Sequence, residues 1–568
     1  MDDVFEESGS TSAYHKLILA SLIITTIPQG MVIFSPVFVF HAPPHRCLVP
    51  EIDHQNDIHF NNSYLFNYIP ASSKNNKTLS NCRRFTVKVQ TNQSAENYIQ
   101  VNRSLIEPCE DGFVYDNRDG KTTAAMEFNL VCGEEWKKPF LTSSFSIGAL
   151  ASGIISGALS DKFGRRVADL GCLTILMLVN FGYSLAVNYW MSWICFMLYG
   201  SGCTMAYNSI FVHAQELVKK EHRGLVVFLC NICVSIGYMM MTFIAYFCVY
   251  WRWIIRIPGF FCIFFMTYYC YLPESSRWLM SRGRTKEAVD IAKRFSNKSK
   301  SSEALVELMQ NMRINDKNEQ NNVEPMNRKL VSFRKSLSML FHNRILVERL
   351  LVLCWLWMVS FVCYYTFGYN TANLGGSRYW TNFLSAVAEI PGWVLALIGL
   401  KKLGRRLTIS ISFLLSAMCL ILCPLLGSYE KASIAMAMIG KVFSSSSVGM
   451  VYLYTAELFP TTLRSTGVGI ASSSARVACL MAPFLDYSGE VSAKWIPFYV
   501  MGGLSLIAGL LTLVLPETKY SSLPETVKDS VELEKYRLIC THTCIRRDIN
   551  FNVRTTYDGD LVETRITA

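Results

Sequence analysis

The sequence is a succession of apolar runs, each about 20 residues long and separated by charged segments. Because a bilayer core of roughly 30 Å needs about 20 apolar residues per helix, such runs predict membrane spans. Twelve spans are predicted, at residues 16–39, 139–160, 167–188, 190–213, 224–248, 250–272, 347–370, 378–400, 407–428, 431–455, 465–486 and 494–515. With 51% hydrophobic and 17% charged residues, the composition is that of a membrane protein rather than a row of soluble domains.

Basic residues set the predicted orientation. They concentrate between spans 2 and 3, 4 and 5, 6 and 7, and 8 and 9, and the positive-inside rule makes these loops cytosolic. Both termini, residues 1–15 and 516–568, are then cytosolic as well. The first span follows the acidic "MDDVFEE" and is too long for a removable signal peptide, so we expect it to stay in the protein. The net charge of +11 is spread over these loops, which argues against a nucleic-acid partner.

The long loop between spans 1 and 2, residues 41–138, is then external. It carries four N-x-S/T sequons, at Asn61, Asn76, Asn92 and Asn102. It also contains four cysteines, Cys47, Cys82, Cys109 and Cys132. An even number of cysteines beside several sequons predicts a glycosylated loop with two disulfides, for which three pairings are possible.

Three short motifs occur twice in the same order, about 240 residues apart. "GRR" at 164–166 returns at 404–406, Glu216 and Arg223 return as Glu457 and Arg464, and "PE" at 273–274 returns at 516–517. The repeat predicts two six-helix bundles of the same orientation, residues 16–272 and 347–515, joined by a cytosolic linker at 273–346. Such a pair encloses a central cavity. The two Glu and Arg positions are expected to form gating or packing pairs.

The segment "GALSDKFGRR" ends the second span. Gly157 and Gly164 allow close approach of helices and a tight turn. Asp161 can accept hydrogen bonds from a neighbouring arginine such as Arg165 or Arg166, or it can face a helix N-terminus. Either polar contact can be formed in one conformation of the protein and broken in another. The alternative is a solvated basic loop.

The pattern G-x-x-x-D-x-x-G-R-R resembles the loop motif of the major facilitator superfamily, where it steadies the outward-open state. In the second copy Lys401 stands at the position of Asp161, so only the part with Arg405 and Arg406 is intact.

Further motifs narrow the resemblance. "PESSRWL", "EPCEDGFVYDN", "EFNLVCGEEW", "AEIPGW" and "VYLYTAELFPTTLRSTGVG" look like the organic ion transporters of this superfamily, which carry organic cations, carnitine and organic anions. The stretch "MVYLYTAELFPTTLR" is most similar to the carnitine and zwitterion branch. The resemblance implies an all-α membrane protein of the major facilitator fold that moves small organic ions across the plasma membrane and needs no cofactor.

Three ionisable residues stand near the middle of spans, where charge is costly and commonly functional: Glu389, Lys441 and Arg476. Arg476 occupies a position where the family's cation carriers have an acid and its anion and carnitine carriers an arginine. A guanidinium binds a carboxylate bidentately. Glu389 matches the acid of the family's span 8 and could attract an amine, although Trp393 stands where anion carriers have lysine. Alternatively, Glu389 and Arg476 form a structural ion pair, and Lys441 braces its span.

Aromatic residues add a second argument for a cationic group, because ring faces attract cations. Trp357 and Tyr364 are seven residues apart on one helical face and match pocket positions of the family's cation carriers. Tyr365, Phe34 and Tyr454 are further candidates. The alternative is that these rings only pack between helices.

These observations predict a carrier for zwitterions or organic cations that works by alternating access. The alternatives are an organic anion exchanger and a substrate sensor that does not transport. An enzyme is not expected, because no phosphate-binding glycine loop, zinc spacing or nucleophile elbow occurs. Membrane lipid surrounds the spans, and whether Na⁺, H⁺ or no ion couples to transport stays open.

Overall fold

The computed structural model is mostly helical. It describes residues 13–50, 53, 60, 63–72, 75–91, 97–117, 120–218, 222–284, 286–288, 290–291, 333–369, 376–519, 524 and 527–533. The first twelve residues, most of the linker and most of the tail therefore lie outside the described residues, as do Asn61 and Asn92.

The first predicted span is a broken helix. It consists of α1 (Ala13–Ile24), α2 (Ile27–Phe34) and α3 (Pro36–Val39). Pro28 and Pro36 lie in the first turns of the two later pieces, where the missing N–H of proline costs no helical hydrogen bond.

The long loop forms three two-stranded antiparallel sheets. Its strands are β1 (His45–Cys47), β2 (Ala71–Ser72), β3 (Asn75–Leu79), β4 (Arg83–Thr91), β5 (Asn97–Pro108) and β6 (Phe113–Tyr115), and β1 pairs with β6, β2 with β3 and β4 with β5. Disulfides join Cys47 to Cys109 and Cys82 to Cys132, which is one of the three possible pairings. Asn76 lies on β3 and the exposed Asn102 on β5. A short helix, α4 (Ala124–Glu127), follows.

Helices account for the rest of each half. In the first half these are α5 (Lys137–Phe163), α6 (Arg165–Tyr183), α7 (Tyr189–Glu216), α8 (Arg223–Phe247), α9 (Trp251–Met266) and α10 (Ser276–Ser281). In the second they are α11 (Phe333–His342), α12 (Arg344–Tyr369), α13 (Arg378–Lys402), α14 (Arg405–Leu425), α15 (Glu430–Leu458), α16 (Thr461–Cys479), α17 (Ala482–Val491), α18 (Ile496–Thr512) and α19 (Val527–Glu532). One large buried apolar cluster fills each half.

Nine helical segments of the described chain are long and apolar enough to cross a membrane: Tyr14–Val39, Cys132–Phe163, Arg165–Tyr183, Arg223–Phe247, Arg344–Tyr369, Arg378–Lys402, Arg405–Leu425, Glu430–Leu458 and Leu463–Val491. The other three predicted spans coincide with α7, α9 and α18. Of these, α9 and α18 are short, with 16 and 17 residues. The chain is a multi-pass membrane protein, and the count of twelve spans stays a prediction.

The sequence repeat corresponds to a repeated set of contacts, which we call the two latches. In the first latch (Arg165, Glu216, Glu274), the Arg165 side chain donates to Glu216 at 2.7 Å and its backbone N–H donates to Glu274 at 2.7 Å. In the second latch (Arg405, Glu457, Glu517), the corresponding distances are both 2.9 Å. Each latch therefore ties the start of one helix to the end of another and to the "PE" segment.

The acid of the loop motif belongs to the first latch only. Asp161 accepts a hydrogen bond from Arg165 at 2.6 Å. Arg166 instead donates to the backbone oxygen of Tyr269, and Arg406 to that of Leu513.

The predicted Glu and Arg positions lie at helix junctions: Glu216 ends α7 and Arg223 begins α8, and Glu457 and Arg464 lie near the corresponding junction of α15 and α16. Glu216 and Glu457 bind Arg165 and Arg405, two contacts that were not predicted. The Nε and one terminal nitrogen of Arg464 are buried with no hydrogen-bond partner among the described residues.

Gly164 should tolerate no side chain. Its φ of +98° is unfavourable for other residues, and an added Cβ would lie 2.5 Å from a Glu274 carboxylate oxygen. At Gly157 an added Cβ meets nothing within 4 Å. We expect Gly164→Ala to destabilise the protein by about 1–3 kcal/mol and Gly157→Ala to be neutral or slightly stabilising. Thermal melting of the two purified variants in detergent checks this, and equal melting temperatures would contradict it.

Candidate functional site

A central cavity of about 1200 Å³, including its open mouth, lies between the halves. The first half lines it with residues of α2, α5, α7 and α8, and the second half with residues of α12, α13, α15 and α16: Ile33, Phe145, Ser146, Ala149, Cys203, Thr204, Tyr207, Asn208, Phe211, Val227, Asn231, Val234, Trp357, Phe361, Tyr364, Tyr365, Trp393, Val448, Gly449, Tyr452, Ser472, Arg476 and Cys479. The wall is apolar and aromatic with a few polar groups, which is typical of a small-molecule site.

Arg476 is the one charged side chain among the described residues of this wall. Its guanidinium donates to the backbone oxygen of Ser472 at 3.1 Å and to the Ser472 hydroxyl. Among the described residues no carboxylate lies within ion-pair distance of it, so the proposed pair with Glu389 is not formed. The cavity therefore presents one positive charge with unfilled donor positions, which suits an anionic group.

Three of the predicted aromatic residues line this cavity: Trp357, Tyr364 and Tyr365. The Trp357 indole stacks on Phe361 with ring centroids 5.5 Å apart and donates its N–H to the Thr455 hydroxyl at 2.9 Å. A hydrogen bond and a stacked neighbour fix the ring, so the aromatic wall is largely preorganised.

Glu389 and Lys441 form a buried pair that is not part of the wall. Lys441 Nζ lies 3.0 Å from Glu389 Oε1, and both side chains have 0% exposure. Ser235 and Tyr364 donate to Glu389 Oε2 at 2.6 and 3.2 Å. Lys441 Nζ also donates to the Tyr364 backbone oxygen and lies 3.8 Å from the centre of the Tyr364 ring. The two charges neutralise each other behind the tyrosine.

The remaining two candidates lie elsewhere. Phe34 is buried and stacks on Tyr238 with centroids 3.7 Å apart. Tyr454 is buried and donates to the backbone oxygen of Pro516 at 2.6 Å. Neither contributes to the wall of the cavity.

The halves contact each other at the end of the bundle that carries the long loop, which we call the loop end. There Lys138 Nζ lies 3.3 Å from a Glu490 oxygen, Ser143 donates to the Leu480 backbone oxygen at 2.8 Å, and Lys121 donates to the Tyr379 hydroxyl at 2.9 Å. The lining residues of α8 and α15 lie in the halves of these helices away from the loop end, whereas those of α12 lie in the half towards it, so the cavity is at mid-depth and the loop end is closed by these contacts.

His41 and Arg378 add a further contact at the loop end. Arg378 donates to the ring nitrogen of His41. Burial, together with the positive charges of Arg378 and Lys138, lowers the pKa of His41 to about 2. The imidazole is therefore neutral at physiological pH, which is what allows it to accept this hydrogen bond.

The sequence matches the sugar (and other) transporter family over residues 78–529. The chain belongs to this family. Two similar proteins are solute carrier family 22 member 4 of Mus musculus, 30% identical over 94% of this chain and 95% of that protein, and organic cation/carnitine transporter 2 of Rattus norvegicus, 31% identical over 94% of each. The predicted transporter family is confirmed, and it is a family of carriers rather than enzymes.

The fold of the transporter is confirmed by a solved structure. The partially occluded, inward-open xylose transporter XylE of E. coli superposes with a TM-score of 0.61 at 15% identity, covering 90% of this chain and 100% of that chain. At this identity the likeness establishes the major facilitator fold and nothing about the substrate.

Several residues of this transporter were missed from the sequence. Tyr207, Asn231, Tyr452 and Ser472 line the cavity. Ser472 shares a helical face with Arg476, four residues away, and this spacing was a usable signal. Asp486 was also missed, because span 11 was predicted to end there, whereas the membrane-length segment of the structure runs from Leu463 to Val491.

A buried group in the first half was also missed. Asp169 on α6 accepts from His213 and Ser209 on α7 at 2.6 and 2.5 Å. Nothing in the sequence spacing of these residues signals that they meet.

Proposed function

We propose that this transporter carries small organic ions with a carboxylate, above all zwitterions, through the central cavity by alternating access. The observation that carries the proposal is the guanidinium of Arg476, which has no ion-pair partner among the described residues and is the one charged group in their aromatic wall. A carboxylate on Arg476 would replace water with two charge-assisted hydrogen bonds. The relatives named as organic cation/carnitine transporters agree with this class of substrate.

The amine of a zwitterion would lie against the aromatic wall. Trp357, Tyr364 and Tyr365 offer ring faces in the same cavity as Arg476, and such faces attract cationic groups. Glu389 and Lys441 then act on the substrate indirectly. They neutralise each other, and Glu389 accepts a hydrogen bond from the Tyr364 hydroxyl, which holds this ring in the wall. Phe34 supports the same tyrosine, with ring centroids 5.9 Å apart.

We place the transporter in the plasma membrane with twelve spans in two bundles, residues 16–272 and 347–515, and both termini in the cytosol. The loop end is then external, its sheets disulfide-linked and its sequons glycosylated. Because the halves are in contact at the loop end, the transporter is then closed to the outside, with the two latches at the cytosolic face.

Uptake into proteoliposomes tests the proposal. We expect labelled carnitine, as a zwitterion, to accumulate above the level in protein-free liposomes. Tetraethylammonium, a cation without a carboxylate, should accumulate far less. Liposomes of the same lipids that contain denatured transporter give the background level of uptake.

Two outcomes favour the rival functions. Uptake of a simple organic anion only when the vesicles contain a counter-anion identifies an exchanger, which the single positive charge of the wall would also accommodate. Saturable binding of carnitine without accumulation identifies a sensor and overturns the proposal.

A further inference from the structure

Asp486 is a half-buried residue at the loop end whose carboxylate group is enclosed. Both of its carboxylate oxygens are shielded from solvent, and neither has a hydrogen-bond partner among the described residues. It lies in a segment that is bonded to α5 of the other half on both sides: Ser143 donates to the Leu480 backbone oxygen, and Lys138 pairs with Glu490. Asp486 is therefore enclosed where the halves close on each other.

Asp486 has no counter-charge among the described residues. Where the elements packed against α17 reach the loop end, they carry charged and titratable groups at Lys137 and Lys138 on α5, Tyr369 on α12, Arg476 and Cys479 on α16 and Tyr499 on α18, and α17 itself carries Tyr487 and Glu490. Lys137 pairs with Glu134. Lys138 is already held by Glu490, and Tyr499 is 47% exposed. Among the described residues none forms an ion pair or a hydrogen bond with Asp486.

An ionised carboxylate is costly to enclose without partners, so something must neutralise Asp486 when the contact closes. A metal ion fits poorly, because it needs several ligand atoms around it. In the described part of the chain the one group of three potential ligands is His45, Cys82 and Cys132. Its two cysteines form a disulfide with each other, and the group does not include Asp486. A proton requires no further ligand.

We propose that Asp486 is a proton-binding site that links closure of the loop end to the pH outside. The carboxylate takes up one proton from the external solution when the halves close there and returns it when they open, so no proton crosses the membrane by this route. The inference rests on the proposed function, because it assumes that the loop end opens and closes during alternating access. It adds the proton as a ligand and Asp486 as the residue that binds it.

His41 acts in the opposite direction at the same contact. It is enclosed as a neutral base with its pKa lowered to about 2, whereas an exposed histidine has a pKa of about 6.5. Below that pH an open loop end therefore gains a proton at His41 that closure must expel. Acid thus favours closure through Asp486 and, below about pH 6.5, opposes it through His41.

The test measures the distance between the halves at the loop end. Spin labels are attached to unnatural amino acids that replace Val187 and Tyr429, each of which is 72% exposed. In lipid nanodiscs without substrate, we expect the ratio of closed to open loop ends to rise roughly tenfold per pH unit from pH 8 to about 6.5 and then to level off. Asp486→Asn and, as a second neutral variant, Asp486→Val should show no rise above pH 6.5 and a fall below it. His41→Gln should keep rising.

Glu490→Gln is the matched acid control and should keep the slope of the unmodified protein. A rise that persists in both Asp486 variants overturns the proposal, and so does a ratio that follows sodium concentration rather than pH. The readout needs no transported substrate. A transporter that fails every uptake assay but closes with acid would therefore refute the proposed function alone, and normal uptake with a pH-independent loop end would refute this inference alone.

Discussion

Arg476→Ala is expected to reduce carnitine uptake by about 30-fold or more while the protein reaches the membrane in normal amount. Removing one partner of a buried charge pair typically costs roughly 2–5 kcal/mol of binding, and Arg476 supplies the one positive charge of the described cavity wall. Within the part of the chain that the structure describes, its side chain bonds only to Ser472 on its own helix, so its loss should leave the packing between helices intact. Initial uptake rates, normalised to surface-biotinylated protein, give the measurement.

Two controls sharpen this result. Arg476→Lys keeps the charge but loses the planar fork, so uptake should fall to an intermediate level. Arg344→Ala removes a guanidinium whose side chain is 92% exposed and should leave uptake unchanged. Unchanged uptake in Arg476→Ala would remove this residue from the substrate site.

Glu389→Gln is expected to prevent stable folding rather than to alter selectivity. The change leaves the Lys441 ammonium, which has 0% exposure, without its counter-charge. Breaking a buried ion pair in this way costs about 3–5 kcal/mol, a large part of the stability of a typical domain. Size-exclusion chromatography of detergent extracts measures the amount of monodisperse transporter.

The paired control is Glu389→Gln together with Lys441→Met, which removes both charges. Because replacing a buried ion pair by uncharged residues is often neutral, the double variant should recover most of the monodisperse protein. If the single variant folds normally and instead gains uptake of anions, Glu389 faces the substrate and our account of the pair is wrong.

The sequence predicted much of the fold because membrane spans have a strong local signal. About 20 apolar residues are needed for each helix, and the major facilitator fold follows from the repeated "GRR" and "PE" motifs and the resemblance they support. The break at Thr25 and Thr26 was not predicted, since hydropathy alone does not register an interruption within an apolar run.

The site was predictable only in part. Hydropathy identified Glu389, Lys441 and Arg476 as costly charges, but which of them pair depends on how distant helices approach each other. Glu389 meets Lys441 across α13 and α15, 52 residues apart in the sequence, and that contact leaves Arg476 as the one charged side chain of the described cavity wall. The arginine partners of Glu216 and Glu457 were missed for the same reason, because they come from another helix.

Protection of the cavity wall from chemical labelling shows whether substrate occupies the cavity. Thr204 lines the wall that the first half contributes, and Thr204→Cys can be labelled with a small thiol reagent and quantified by mass spectrometry of its peptide. Cys172, buried in the first half, serves as the internal control. We predict that saturating carnitine slows labelling at residue 204 severalfold, and that Arg476→Ala abolishes this protection. Labelling that proceeds at the same rate with and without a substrate that the protein transports would contradict the account.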